Sequence, residues 1–361
     1  MKILDKYLFK KFLTTYVFAV FVIVLVIVVI DFVEKNDDFI EHNAVTKDIL
    51  LLYYANLAPY WANYISPLMI FISTVFFTAK LASHTEIIAI LSSGTSFRRL
   101  MYPYILGASV VAVFSFLMVG WILPRANKIR IAFENEFIHE KYYFNDRDLH
   151  MAVEKDVYAY LSSYDTQSKT AYDVTLEKIV DNKLVEKLYA RRGTYVDSLK
   201  TWQLYDYKIR KLGILKDDLT FSSGTTPLDS AINMFPSDFD NANNVHETMT
   251  IPQLQAKIDL INSRGAEGVE IFQIEYYQRF ATPFAVIILS LMGLIVSARK
   301  ARGGVGVQIA VGFVLAFVYI LFYIMSKGIA ESGNMPPLLA VWLPNIVFGS
   351  IATVMYFTVP R

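Results

Sequence analysis

Six long runs without a charged side chain constrain this chain more than any other feature. They extend from Phe12 to Ile30, Ile49 to Ala79, Leu100 to Pro124, Phe280 to Ala298, Gly303 to Ser326 and Ser332 to Pro360. About 20 apolar residues suffice for a helix to cross the hydrocarbon core of a bilayer. In that medium the backbone must satisfy itself, which selects helices over isolated strands. The second and sixth runs exceed what one span requires, and Pro59 and Pro67 are expected to bend the second. Composition agrees: 55% of the 361 residues are hydrophobic, and mean hydropathy is +0.39, too apolar for an ordinary soluble domain. The first run follows lysines, as in a signal peptide. It is too long for one and lacks a small-residue cleavage site, so it reads as a retained first span.

Charge between the runs sets orientation. One side carries Lys2, Lys6, Lys10 and Lys11, then Lys80, Arg98 and Arg99, then Arg299, Lys300 and Arg302, and finally Arg361, against only Asp5 and Glu86. The loop after the first run instead carries Glu34, Asp37, Asp38, Glu41 and Asp48 against Lys35 and Lys47. The positive-inside rule then places both termini and the stretch from Lys80 to Leu100 in the cytoplasm.

The segment from Arg125 to Glu270 falls on the outer side. Arg125 to Lys141 reads as a helical extension of the third span. Period-two alternation follows: Val157, Ala159 and Leu161, then Val174 and Leu176, then Leu184 to Ala190, then Trp202, Leu204, Tyr205, Tyr207 and Ile209. Asp181-Asn182 is a turn signal between two of these runs. Such spacing predicts an antiparallel sandwich or open barrel. Phe221 to Val245 reads as loop or edge. Thr250 is expected to cap a short helix bearing Leu254, Ile258 and Ile261 that ends near Gly265. The domain division is therefore residues 1–124, 125–270 and 271–361.

Between the second and third spans lies KLASHTEIIAILSSGTSFRRL. Ser83 and Glu86 have the S-x-x-E spacing of a capping box. Ile87, Ile88, Ile90 and Leu91 follow, Gly94 is a left-handed stop, and Ser96 restarts a helix bearing Arg98 and Arg99. The segment, about 82–93, reads either as a surface loop that caps its own helix or as a docking helix for a cytosolic partner.

Several chemistries are excluded or unsupported. Net charge is +1 and there is no cysteine, which offers no general attraction to nucleic acid and removes thiolate chemistry. His42, His84, His139, His150 and His246 lack metal-ligand spacing. No G-x-x-x-x-G-K-[ST] loop occurs. The glycines around Gly303 open an apolar span, and with Ala310, Gly312 and Ala316 they suggest close helix packing. No catalytic residue, metal site or cofactor is assigned. Asp31, Glu34 and Lys35 at the end of span one, and Glu275 and Arg279 at the start of span four, are either interfacial anchors or contacts to a lipid head group. Lys35 and Arg279 are the head-group candidates. Two functions compete: a transport permease driven by a separate ATPase, and a membrane receptor or sensor with an outer β-domain.

The ordered set of Ser83-x-x-Glu86 with Ser92 to Ser96 and Arg98-Arg99, then Glu275 to Phe280 with Pro283, then Arg299 to Gly304, then Trp342-Leu343-Pro344-Asn345 resembles the LptF/LptG (YjgP/YjgQ) family of lipopolysaccharide-export permeases across essentially the whole chain. The resemblance implies six transmembrane helices and an all-β, jellyroll-like periplasmic domain inserted between helices three and four. It implies a multi-pass protein of the bacterial inner membrane, an ABC transporter subunit without its own ATP hydrolysis. The implied partners are an LptB-like cytosolic ATPase dimer, a paralogous LptF or LptG permease, LptC- and LptA-like jellyroll bridge proteins, and lipopolysaccharide as cargo. Ser83, Glu86, Ile87, Ile90, Gly94, Arg98 and Arg99 fall at the ATPase-coupling stretch. The family's lateral entry would place Lys35 and the spans around Val24 and Phe317 near the cargo. Asp31 and Glu34 stand where some members have a basic residue.

Overall fold

The structure is a computed structural model that describes residues 3–138, 147–213, 217–221, 227–239, 244–266, 268–298 and 304–358. The basic loop from Arg299 to Gly303, Lys141 and Arg361 lie outside the described residues. Contacts divide the chain into two compact units. One comprises Met1–Ile138, His246–Leu254 and Glu270–Arg361; the other comprises His139–Val245 and Gln255–Val269.

The first unit contains six helices long and apolar enough to cross a membrane. Helix α1 (Ile3–Glu41) has 39 residues. At 1.5 Å per residue it is ~58 Å long, so the uncharged run from Phe12 to Ile30 is only its middle. The second run is more divided than a bent span. After α2 (Thr46–Asp48), Ile49–Tyr54 forms a π-helical stretch, then come α3 (Ala55–Tyr64) and α4 (Ser66–Ser83). The break falls before Pro67, which sits in the first turn of α4, where its missing N–H leaves no helical bond unmade. A short α5 (Glu86–Ser92) precedes α6 (Phe97–Leu117), which continues through π-helical Met118–Ile122 into α7 (Leu123–Phe137).

After the β-domain come α8 (Val245–Thr248), α9 (Ile251–Arg264), α10 (Val269–Ser297), α11 (Gly304–Glu331) and α12 (Pro337–Thr358). At the start of α9 the cap comes from Gln253 and not from the Thr250 hydroxyl: the Thr250 N–H and Oγ1 both donate to Gln253 Oε1, at 2.8 and 3.0 Å. Gly265 leaves the helix at φ +66°. Helix α10 begins well before Phe280, because its charged first turns spend their charges on one another and on a neighbouring strand of chain. Two of the small residues of α11 pack: a Cβ on Gly312 would lie 2.9 Å from Val75 Cγ1 of α4, and Ala316 is buried, whereas Ala310 is exposed and a Cβ on Gly306 would meet nothing within 4 Å.

The second unit is an eight-stranded antiparallel sheet: β1 (Leu149–Glu154), β2 (Val157–Leu161), β3 (Ser163–Asp165), β4 (Thr170–Val180), β5 (Lys183–Val196), β6 (Thr201–Lys211), β7 (Asp218–Phe221) and β8 (Leu228–Ser230). Its order is β1-β2-β4-β5-β6-β7, with β3 on β4 and β8 on β6. Asp181 and Asn182 both adopt positive φ, the backbone a two-residue type I′ hairpin needs. The stretch read as loop contributes core: Ile232, Met234 and Phe239 are buried beside Trp202, whose Nε1 donates to Met234 O at 2.7 Å.

Strict alternation fails along one line. The buried positions Leu161 and Tyr164, Ala171 and Val174, and Leu204 and buried-side Tyr207 are spaced by three. Between them Asp173 and Asp206 take left-handed φ values of +49° and +53°, and Arg191 lies between the paired flanks of the same row. Asp173 is held there by Ser162 Oγ at 3.0 Å and by the Tyr189 hydroxyl at 2.7 Å. That carboxylate pushes the Tyr189 phenol upward, chiefly through the hydrogen bond. The crease separates a packed half, centred on Trp202, from a half where Met151, Leu176, Leu188 and Tyr207 are only partly covered.

Gly312→Leu should force α11 off α4, at about 1–3 kcal/mol for overpacking. Thermal unfolding of the detergent-purified chain should show a lower midpoint than Gly328→Leu, where a Cβ meets nothing within 4 Å. Equal midpoints would remove Gly312 from the packing account.

Candidate functional site

The stretch between the second and third spans is built differently from its sequence pattern. The capping box does not form. Helix α4 runs on through Ser83, whose Oγ donates back to Lys80 O at 2.8 Å. His84 and Thr85 make the turn, Thr85 at φ +61° is the residue before α5, and no side chain caps it. Glu86 is then the first residue of α5, where a carboxylate meets the positive end of the helix.

Ile87 faces inward. It is 1% exposed and packs with Leu8, Phe12, Leu100 and Leu294. Ile90 lies against the same cluster. These two residues fasten α5 to the bundle, while its outer face shows half-buried Glu86 with exposed Ile88, Ala89 and Ser92. Ile88 escapes sequence reasoning because five apolar residues in a row, Ile87 to Leu91, do not reveal which face is covered. Gly94 does stop the helix, at φ +84°. Ser96 does restart one, its Oγ accepting from Arg99 N at 3.3 Å. Arg98 and Arg99 are occupied inside the chain: Arg98 Nε donates to the Tyr356 hydroxyl at 2.8 Å, and Arg99 pairs with Asp5.

At the other end of the bundle the charges form closed networks. Lys35 pairs with Asp31 at 3.0 Å and donates to the Tyr53 hydroxyl. Asp31 also accepts from Tyr53 at 3.3 Å and from Tyr54 at 3.2 Å. Arg279 is 2% exposed. Its Nε donates to Glu275 at 2.9 Å and its terminal nitrogens to Met249 O at 2.6 Å and His246 O at 3.4 Å. A second buried cation, Arg130, pairs with Glu247 at 2.9 Å and stacks over Tyr60. Asn127 Nδ2 donates to Glu247 O. Residues 246–249, where the chain returns toward α10, are thus pinned from three directions. Arg130 and Glu247 were not singled out from sequence. The charged extension of span three is a signal for the first, whereas nothing local marks the second.

Beside this network lies a cavity of ≈ 190 Å³, bordered by Tyr60, Asn63, Glu275, Arg279, Tyr323 and Lys327 among others. Asn127 Oδ1, Gln278 Oε1 and the Tyr323 hydroxyl, which border it too, have no hydrogen-bond partner among the described residues. Among those residues no cluster of His, Asp or Glu has the arrangement to hold a metal ion.

Six helices apolar enough to cross a membrane, interrupted by an antiparallel β-domain, with a short helix packed between spans two and three, define the class of multi-pass membrane proteins with an inserted β-domain. The sequence matches the model of the lipopolysaccharide export system permease LptF/LptG over residues 6–357, and the chain belongs to that family. It is accordingly a lipopolysaccharide export permease of the inner membrane, a transport protein and not an enzyme. No curated protein matches the chain.

Arg279→Ala leaves Glu275 and two carbonyls without their buried cation. Removing one partner of such a pair costs about 3–5 kcal/mol. The variant should show reduced yield and a lower unfolding midpoint, with Arg279→Lys intermediate because it cannot reproduce the fork. Wild-type behaviour of Arg279→Ala would show that the pinned segment is held by other means.

Proposed function

We propose that the chain is one half of the membrane core of a lipopolysaccharide exporter powered by a separate cytosolic ATPase. The match over residues 6–357 carries this reading. The basic loops put both termini and α5 in the cytoplasm and the β-domain in the periplasm. An LptB-like ATPase dimer docks on the outer face of α5, where Glu86 and Ile88 meet it while Ile87 holds the helix from behind.

A paralogous permease covers the bare spans. Only 6% of the most apolar window of α1 and 22% of that of α11 are buried within the chain, against 72% for α4. Lipopolysaccharide enters between such faces and passes to the β-domain, then to LptC- and LptA-like jellyrolls. Direct transfer between apolar shelters spares about 0.8 kcal/mol for each CH₂ kept from water. The partly covered half of the sheet, beyond the crease, is the shelter for the acyl chains. Of the two head-group candidates, the greater exposure of Lys35, 23% of its side chain against 2% for Arg279, supports Lys35 as the one that meets a phosphate.

Affinity purification in mild detergent should recover an ATPase and a second six-span protein with this chain; a lone homodimer would count against this assembly. Because no capping box exists, Glu86→Ala removes little helix stability, about 0.3–1 kcal/mol from the lost helix-end charge. It should nevertheless reduce transported lipid per ATP by about tenfold, in line with the scale of site-to-site coupling. A charge reversal on the ATPase should rescue Glu86→Lys. Unchanged co-purification and transport in Glu86→Ala would take Glu86 out of the dock.

A further inference from the structure

Helix α1 is held at its two ends and bare between them. Near its start Leu8 and Phe12 are 1% exposed and share one cluster with Ile87 of α5 and with Leu100 and Tyr104 of α6. The Phe12 ring meets Tyr104 edge-on at 5.6 Å. It occupies space that Gly107 leaves open, since a Cβ there would lie 2.5 Å from the ring. Near its far end Phe39 packs against Tyr53, Tyr54 and Phe133. In the middle Phe18, Phe21, Leu25, Val29 and Ile30 are exposed.

The near end carries an ion pair of unusual placement. Asp5 is 4% exposed, and its carboxylate is met by Arg99. An exposed surface pair contributes little, but a carboxylate this covered is strongly disfavoured without its cation. Arg99 lies in the first turn of α6, directly after the Gly94–Ser96 link that leaves α5. The adjacent Arg98 reaches the Tyr356 hydroxyl, and the Phe97 ring lies 6.4 Å from that of Tyr356. The first turn of α6 therefore grips the start of α1 and the end of α12.

We infer that the Asp5–Arg99 pair is the positioning contact that passes a displacement of α5 to the first span. The inference rests on the reading of α5 as the ATPase dock. When α5 shifts, its buried Ile87 and the short link move the start of α6. Arg99 then carries Asp5, and with it the first turn of α1. Only 6% of the most apolar window of α1 is buried within the chain, so little packing resists there and the displacement runs along a rigid helix toward its far end. Arg98 makes the same connection to α12. Neither arginine is a docking residue: each transmits what α5 receives.

The chain lacks cysteine, so Ile3→Cys and Ser93→Cys give a unique spin-labelled pair. The experiment uses the complex purified from membranes with its co-eluting ATPase, with and without vanadate, and follows lipopolysaccharide released per ATP. Asp5→Asn should keep the ATPase bound, lower lipid released per ATP by about tenfold, and introduce a vanadate-dependent change in label distance that is absent while α5 and the first turn of α1 move together. The double exchange Asp5→Arg with Arg99→Asp should restore both readouts. If single variants fail to accumulate, the double exchange decides alone: recovery of coupling supports the pair, and failure overturns it. Normal lipid release per ATP in Asp5→Asn would also overturn it. Should no ATPase co-elute with the unsubstituted chain, the docking reading itself falls, an outcome distinct from an intact but uncoupled complex.

Discussion

A bilayer core offers no partner for a buried charge or an open backbone group, and this chain obeys that constraint by keeping its ion pairs toward the ends of its spans. The stretch of α1 from Val17 to Ile30 contains only apolar side chains, while toward its ends lie Asp5 paired with Arg99 and Asp31 paired with Lys35. Helix α10 places Glu275 and Arg279 in its early turns and continues uncharged to Ser297. The membrane unit is thus a set of smooth rods fastened at two levels. Within the rods, shape rather than polarity sets the contacts, as where Gly107 admits Phe12 and Gly312 admits Val75.

The two levels do different work. At one, α5 is sewn into the bundle by Ile87 yet leaves Glu86 and Ile88 outward, so a single turn of helix has one face packed and one face open. At the other, Arg130, Arg279 and Asn127 hold residues 246–249, which fixes where the chain re-enters the bundle. Ion pairs that would be weak on a wet surface are buried here and therefore specify geometry: Arg279 joins Glu275 and two backbone carbonyls that no apolar contact would register so closely.

What sequence reveals follows the range of the interaction. Spans are legible because about 20 apolar residues suffice to declare one, and the strands from Val157 and Val174 because alternation is local. Gly94 and Ser96 were read correctly, being set by their own backbones. The S-x-x-E pattern misled because Thr85 takes a left-handed φ that lets α4 run on to Ser83, and no residue type announces that choice. The ends of α1 and α10 extend past their apolar runs because charged residues can continue a helix once paired. Asp5 with Arg99, and Arg130 with Glu247, join residues 94 and 117 positions apart. No local pattern encodes such partners. Trp202 and Tyr207 were both seen as strand residues, but the change of phase between them depends on Asp206 and its neighbours across the sheet.

That change of phase bears on how the β-domain keeps its form. Asp173 and Asp206 turn the sheet by torsion at two residues, supported by Ser162 and Tyr189, rather than by filling one side with bulk. A sheet curved by its contents would slacken when emptied. One creased by its own backbone keeps its curvature whether or not anything lies against its partly covered half.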